Sequence, residues 1–215
     1  MPIGSVSLPV NLAIFDFMGI APTLRREILV TAFYARQTLV VARDLLGKYL
    51  VRKLPEGLRA GRLIEVEAYV GQQDLACHAS KGRTRRTEVL FGPPGRAYVF
   101  MIYGMYHCMN VVTERLDFPA AVLIRAVEDE TGLIDGPGRV CRAYEIDLSL
   151  NYHDLSTGRT LWIEDRGERV PKSRIVAYPR INVDYAGQWA AKPWRFRLKT
   201  APVTTRLSIK SQRDD

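Results

Sequence analysis

The chain has 215 residues, 47% hydrophobic and 25% charged, with 31 Lys and Arg against 23 Asp and Glu, a net charge of +8 and a pI near 9.6. This balance fits one globular domain with its own core and excludes an acidic disordered chain; no apolar run reaches the roughly 18 residues of a spanning helix, so no membrane partner is expected. The basic excess, most of it arginine, favours a polyanionic partner through paired phosphate contacts and counterion release. In chain order, residues 1–22 are an N-terminal extension open to two readings, an accessory arm or a stretch upstream of a start at Met18. Its apolar part is interrupted by Pro9, Asn11 and Asp16 and lacks a basic lead-in, a poor signal peptide, so the chain reads as cytoplasmic, nucleoid-associated in a bacterium. Residues 23–215 read as one domain. Gln37 to Leu46 predicts an amphipathic helix stopped by Gly47, and Lys48 to Leu54 pairs with Gly61 to Val70 as a hairpin across Pro55-Glu56-Gly57. Gln72 to Thr87 is polar, basic and without apolar period, the pattern of a long loop. Past the rigid turn Phe91-Gly92-Pro93-Pro94-Gly95, Ala97 to Ile102 and Tyr106 to Thr113 are strand-prone, and Ala120 to Val127 is a buried strand. Pro137 to Ile146 predicts a helix, and Leu161 to Glu164 and Arg174 to Tyr178 short strands. The fold class is α+β: a central, largely antiparallel sheet flanked by short helices, with a protruding hairpin.

Three features could carry chemistry. In Glu65-Val66-Glu67-Ala68-Tyr69, strand alternation puts two carboxylates and a phenol on one face. Either this is an edge strand with a solvated face, or a general base stands beside an aromatic platform. His78 lies in the basic loop with Lys81, Arg83, Arg85 and Arg86, which is either a solvated charge run or a clamp on phosphates. Tyr98 and Phe100 share a strand face that could be plain core, whereas Tyr103 precedes Gly104 at a turn that would project it outward as a wedge between base pairs. Arg125, inside the apolar run, needs a carboxylate on a neighbouring strand. Cys77, Cys108 and Cys141 are too few and too scattered for a disulfide framework, and without CxxC or HxxxH spacing they read as buried thiols rather than metal ligands.

Taken together, LLGKYLV, IEVEAYVGQQDLACHAS, FGPPGRAYVFMIYGMYHCMNVV, VLIRAVE, GPGRVCRAYEI and PRINVDYAGQWAAKPWRF resemble the alkyladenine (3-methyladenine) DNA glycosylase family, the class of the mammalian enzyme, from about Gln37 to about Phe196. The resemblance implies that residues 23–215 form a monofunctional glycosylase domain acting on double-stranded DNA, with no metal or cofactor, and damage on one strand, which offers no two-fold symmetry, favours a monomer. Its substrates would be purines such as 3-methyladenine, 7-methylguanine, etheno-adenine and hypoxanthine, and its action would open base excision repair. It implies Glu67 as the base that activates water and Arg125 as the group that holds that water and orients the carboxylate. Tyr69 and His78 would sandwich the extruded base, Tyr103 would fill the gap it leaves, and Asn110 would crowd the 2-amino group of guanine. Apart from the resemblance, the basic pattern of Lys81, Arg83, Arg85 and Arg86 keeps them as candidates for contact with the DNA backbone. Phe100 departs from the pattern: it stands where the mammalian enzyme carries a third pocket tyrosine, keeping a stacking face and losing a hydroxyl.

The chemistry agrees with these parts. A base must leave the stack before it can be reached, and the cleavage passes through positive charge on the sugar, which one carboxylate can stabilise while activating water. An aromatic sandwich favours a cationic ring by roughly 1 to 2 kcal/mol. Neutral leaving bases need a proton donor that the residues do not identify. No lysine occupies a matched catalytic position, so no Schiff-base step is expected. Glu65 remains a rival base. Rival functions are a non-catalytic module for damaged DNA, which would not need Glu67 and Arg125, and an RNA- or nucleotide-acting hydrolase using the same carboxylate.

Overall fold

The computed structural model describes residues 26–199, so the extension at residues 1–22 lies outside the described residues. Ten strands form one sheet: β1 (Glu27–Ile28), β2 (Tyr49–Leu54), β3 (Gly57–Val70), β4 (Ala97–Ile102), β5 (Tyr106–Val112), β6 (Ala120–Asp129), β7 (Gly132–Asp135), β8 (Leu161–Asp165), β9 (Ile175–Tyr178) and β10 (Arg195–Leu198). The order is β1-β8-β2-β3-β6-β5-β4, with β7 on β6, β10 on β3 and β9 on β10, every ladder antiparallel. Helices α1 (Thr31–Tyr34), α2 (Thr38–Leu45) and α3 (Pro137–Ala143) are short. Val41 and Leu45 of α2 and Val140 and Cys141 of α3 enter the main core beside Leu63, Val66, Ile124 and Phe196. The α+β reading therefore holds.

Strand β3 organises the site. Its first half pairs with β2 across the two-residue loop Pro55-Glu56, as expected of a hairpin. Its second half is bordered by β10 from Glu65 to Glu67, while β6 runs along the opposite edge from Arg62 to Val70. β3 is thus a central strand, and the edge-strand reading of Glu65 and Glu67 is wrong for these two residues: every side chain from Leu63 to Ala68 is buried. The reason is length, since β3 begins at Gly57 rather than Gly61 and outreaches β2, leaving an edge that β10 covers.

Between β3 and β6 the register shifts on both sides of Glu65, so that Ile64 and Arg125 have no direct cross-strand partner. Such bulges re-aim a side chain, and this one falls where Arg125 meets the β3 carboxylates. The β4–β5 hairpin continues the sheet and ends in the turn Tyr103-Gly104-Met105. The segment 72–87 is not purely loop: His78–Lys81 forms one 3-10 turn, and Asp74, Ala76, Cys77 and Ala79 are buried. The helix expected to reach Ile146 ends at Ala143.

Candidate active site

Glu67 is fully buried yet faces a cavity of about 200 Å³, where Tyr69, His78, Phe100, Asn110 and Arg125 also line the wall. Three donors fix its carboxylate. The Ile181 backbone N–H donates to Oε1 at 2.9 Å, the Tyr69 hydroxyl donates to Oε2 at 2.8 Å, and Arg125 Nη1 lies 3.4 Å from Oε1. Burial raises its pKa above the ordinary carboxylate value despite the opposing pull of Arg125 and the two hydrogen bonds, so the ionised form is kept basic. The same burial, reinforced by the neighbouring Glu67 charge, holds the Tyr69 phenol well above its usual range and therefore protonated.

Glu65, on the same strand, has a different fate. It accepts from Arg125 Nε at 3.1 Å, Arg195 Nη1 at 3.2 Å and Arg197 Nη1 at 2.6 Å, and it does not line the cavity. A carboxylate held by three guanidinium groups is an anchor. It orients Arg125, whose other arm reaches Glu67, as the need for a carboxylate partner had implied.

The walls are aromatic. Tyr69 stands on the Glu67 side, while Phe100 and His78 meet edge to face at 4.6 Å. His78 Nδ1 is 2.8 Å from the Tyr98 hydroxyl, which fixes the ring and leaves Nε2 for a ligand. Burial, with the charges of Arg86 and Lys81, lowers the His78 pKa to about 4, so the imidazole is neutral at physiological pH. Asn110 sits opposite Leu123 of β6, held by its Nδ2 donating to the Tyr98 carbonyl at 3.2 Å. Cys77 and Cys108 also line the wall, and burial pushes their thiols up to about 12 and about 11. All three cysteines are free and buried, and among the described residues no group of three or more His, Cys, Asp or Glu could hold a metal ion.

Tyr103 lies at the cavity rim and is 82% exposed, projected by a turn with φ of 52° there and 68° at Gly104 and closed by Met105 N–H donating to the Ile102 carbonyl at 3.2 Å. The basic loop is only partly free. Arg83 pairs with Asp117 and Glu88 and stacks on Phe91, and Arg86 covers Phe100 at 5.2 Å; Lys81 and Arg85 are exposed. The structure thus gathers Glu67, Tyr69, His78, Phe100, Asn110, Arg125 and Tyr103 at one cavity, while Arg83 forms exposed ion pairs with its own domain.

Comparison with known proteins supplies the family. The profile of methylpurine-DNA glycosylase (MPG) matches residues 32–202. The chain belongs to the methylpurine-DNA glycosylase family. A protein of Methanocella arvoryzae provisionally named 3-methyladenine DNA glycosylase is 50% identical over 201 residues, 86% of this chain and 96% of its own. Proteins of the same provisional name from Myxococcus xanthus and Legionella pneumophila (strain Paris) are 53% and 48% identical, covering 78% and 83% of this chain and 88% and 98% of theirs. The chain is accordingly a DNA glycosylase, a hydrolase of N-glycosyl bonds and a DNA repair enzyme, which sets aside a non-catalytic module. Among the described residues no helix is long and apolar enough to cross a membrane.

In this glycosylase several supporting groups escaped the sequence reading. Asp74 and Arg180, both fully buried, form a two-pronged ion pair at 2.5 and 2.8 Å. Asp74 also accepts from the Val70 and Ala76 N–H groups, while Arg180 donates to the Ala68 and Trp189 carbonyls. The pair therefore ties the end of β3 to the start of the His78 loop and to the segment whose next residue, Ile181, holds Glu67. A backbone donor such as Ile181 N–H has no side-chain signature. Asp74 and Arg180 had one available signal, an acid and a base lying within IEVEAYVGQQDLACHAS and PRINVDYAGQWAAKPWRF, two of the motifs that carry the resemblance.

Proposed function

We propose that this glycosylase releases alkylated or deaminated purines, among them 3-methyladenine, 7-methylguanine, etheno-adenine and hypoxanthine, from duplex DNA by direct hydrolysis, as a monomer, to begin base excision repair. The observation that carries the reading is Glu67: a carboxylate of raised pKa, buried at an aromatic cavity and oriented by Ile181, Tyr69 and Arg125. The target purine rotates out of the stack and enters between Tyr69 and the His78–Phe100 wall, and Tyr103 occupies the space it leaves. Glu67 takes a proton from water as the water oxygen bonds to C1′. The C1′–N9 bond breaks, and its electron pair leaves with the base. Arg125 orients Glu67 and that water, and Asn110 narrows the cavity against the 2-amino group of guanine. Among the described residues no lysine lines the cavity, in keeping with hydrolysis rather than a Schiff-base step.

The test is single-turnover excision from duplexes carrying each of the four bases. Wild type is expected to release free base without strand scission. Glu67→Gln is expected to keep duplex affinity and lose at least roughly a hundredfold in rate, the scale of a general base. Substantial excision by Glu67→Gln would remove Glu67 from this role.

A further inference from the structure

Both aromatic walls of the cavity have an arginine over a ring, and the two arginines differ. Arg180 lies over Tyr69 at 4.8 Å, but its charge is neutralised by Asp74. Arg86 lies over Phe100 at 5.2 Å and, among the described residues, has no carboxylate partner. Phe100 lines the cavity, and Arg86 is not among the residues that line it. An aromatic ring attracts a cation through the negative potential of its π face. A guanidinium already on one face draws that electron density toward itself and opposes a second positive charge across the ring. A cationic base stacked on the opposite face, near 3.5 Å from the ring, would stand about 9 Å from the guanidinium, about one Debye length, close enough for repulsion to count.

We propose that Arg86 is a specificity-determining residue that weakens the preference of the pocket for cationic bases and thereby brings neutral lesions into range. The inference rests on the stacking of the base described above, and it reverses the simple expectation that an aromatic sandwich selects positive charge. It also assigns Arg86 to the pocket rather than to the phosphate clamp in which the sequence grouped it. Phe100 strengthens the effect, because without a hydroxyl it offers the base only its π face on this wall. The lowered pKa of His78, in which Arg86 takes part, acts in the same sense by keeping the other member of the wall uncharged.

The experiment compares 7-methylguanine, whose ring carries a formal positive charge, with neutral hypoxanthine in the same duplex sequence, under single-turnover conditions with saturating enzyme. In Arg86→Gln the ratio of the rate on 7-methylguanine to that on hypoxanthine is expected to rise roughly three- to tenfold. Arg86→Lys, which keeps the charge, is expected to stay within about twofold of wild type. Arg86 is exposed, so neither variant threatens the core. An equal loss on both bases would make Arg86 a phosphate contact and overturn the proposal, as would an unchanged ratio. Release of neither base by wild type would instead overturn the excision reading itself, and this inference with it.

Discussion

At the residue scale, the role proposed for Glu67 pulls against the stability of the fold. Its pKa in the folded protein lies above the ordinary value of 4.5 because it is buried. The folded state then binds its proton more tightly than the unfolded chain, so stability falls as pH rises from the unfolded value through the folded one. At neutral pH the ionised carboxylate costs the fold, and removing the charge is expected to be stabilising. Glu67→Gln should therefore unfold at a higher temperature than wild type near neutral pH, with the gap closing as pH falls below 4.5, where Glu67 is protonated in both states. Thermal unfolding across that range checks it, and a variant less stable at neutral pH would mean that the Arg125 pairing outweighs desolvation. In the role proposed for Glu67 the ionised form works, so the same shift is expected to place the acid limb of excision above the ordinary carboxylate range. The sequence marked Glu67 and Glu65 equally by alternation and separated them only through the resemblance. What decides between them physically is the set of neighbours, three arginines around one and a cavity before the other, and those come from β6, β10 and the segment at Ile181.

At the element scale, the strands with clear alternation or continuous apolar runs were readable, whereas β1, β7 and β10 were not. β1 and β7 are too short to carry a period, and β10 reads as a mixed charged stretch because its arginines serve Glu65, whereas β9, equally short, is legible as the apolar run Ile175-Val176-Ala177-Tyr178. The β4–β5 turn was legible because Tyr103-Gly104 is a turn pair, but the structure adds that Tyr103 itself holds a left-handed φ of 52°. A non-glycine residue in that region is strained, and here the strain falls on the residue proposed as the wedge. Tyr103→Gly should lose the fluorescence change of etheno-adenine or 2-aminopurine on duplex binding, while its urea midpoint stays equal or rises; an unchanged fluorescence signal would remove Tyr103 from the wedge role. The opposite balance is expected at the Asp74–Arg180 pair. Asp74→Asn leaves a buried guanidinium without its anion, and urea unfolding should show a loss on the order of 3–5 kcal/mol. A variant as stable as the parent would mean that Arg180 finds other compensation and that the pair does not hold the two walls together.

At the scale of the whole molecule, the net charge of +8 pointed to a polyanion without saying where it would lie. The fold refines this by separating the arginines used inside the domain from those left free. Arg125, Arg195 and Arg197 surround Glu65, Arg180 is paired with Asp74, Arg83 is tied to Asp117 and Glu88, and Arg86 covers Phe100. Many of the arginines are therefore structural, and a count of basic residues in the sequence overstates the contact with DNA. In the loop that carries His78 all four basic side chains are exposed, and among the described residues Lys81 and Arg85 are the two not engaged by a carboxylate or a ring. Each phosphate neutralised on a duplex contributes roughly −0.9 to the slope of log K against log salt. Lys81→Ala and Arg85→Ala should each flatten that slope by about one unit while weakening binding to damaged and undamaged duplexes alike. Arg83→Ala should leave the slope unchanged, because its guanidinium is engaged by Asp117 and Glu88. Equilibrium binding to an undamaged duplex over a salt series reads all three variants on one plot. A flattened slope for Arg83→Ala, with none for Arg85→Ala, would mean that the loop turns over on DNA and exchanges its internal ion pairs for phosphate.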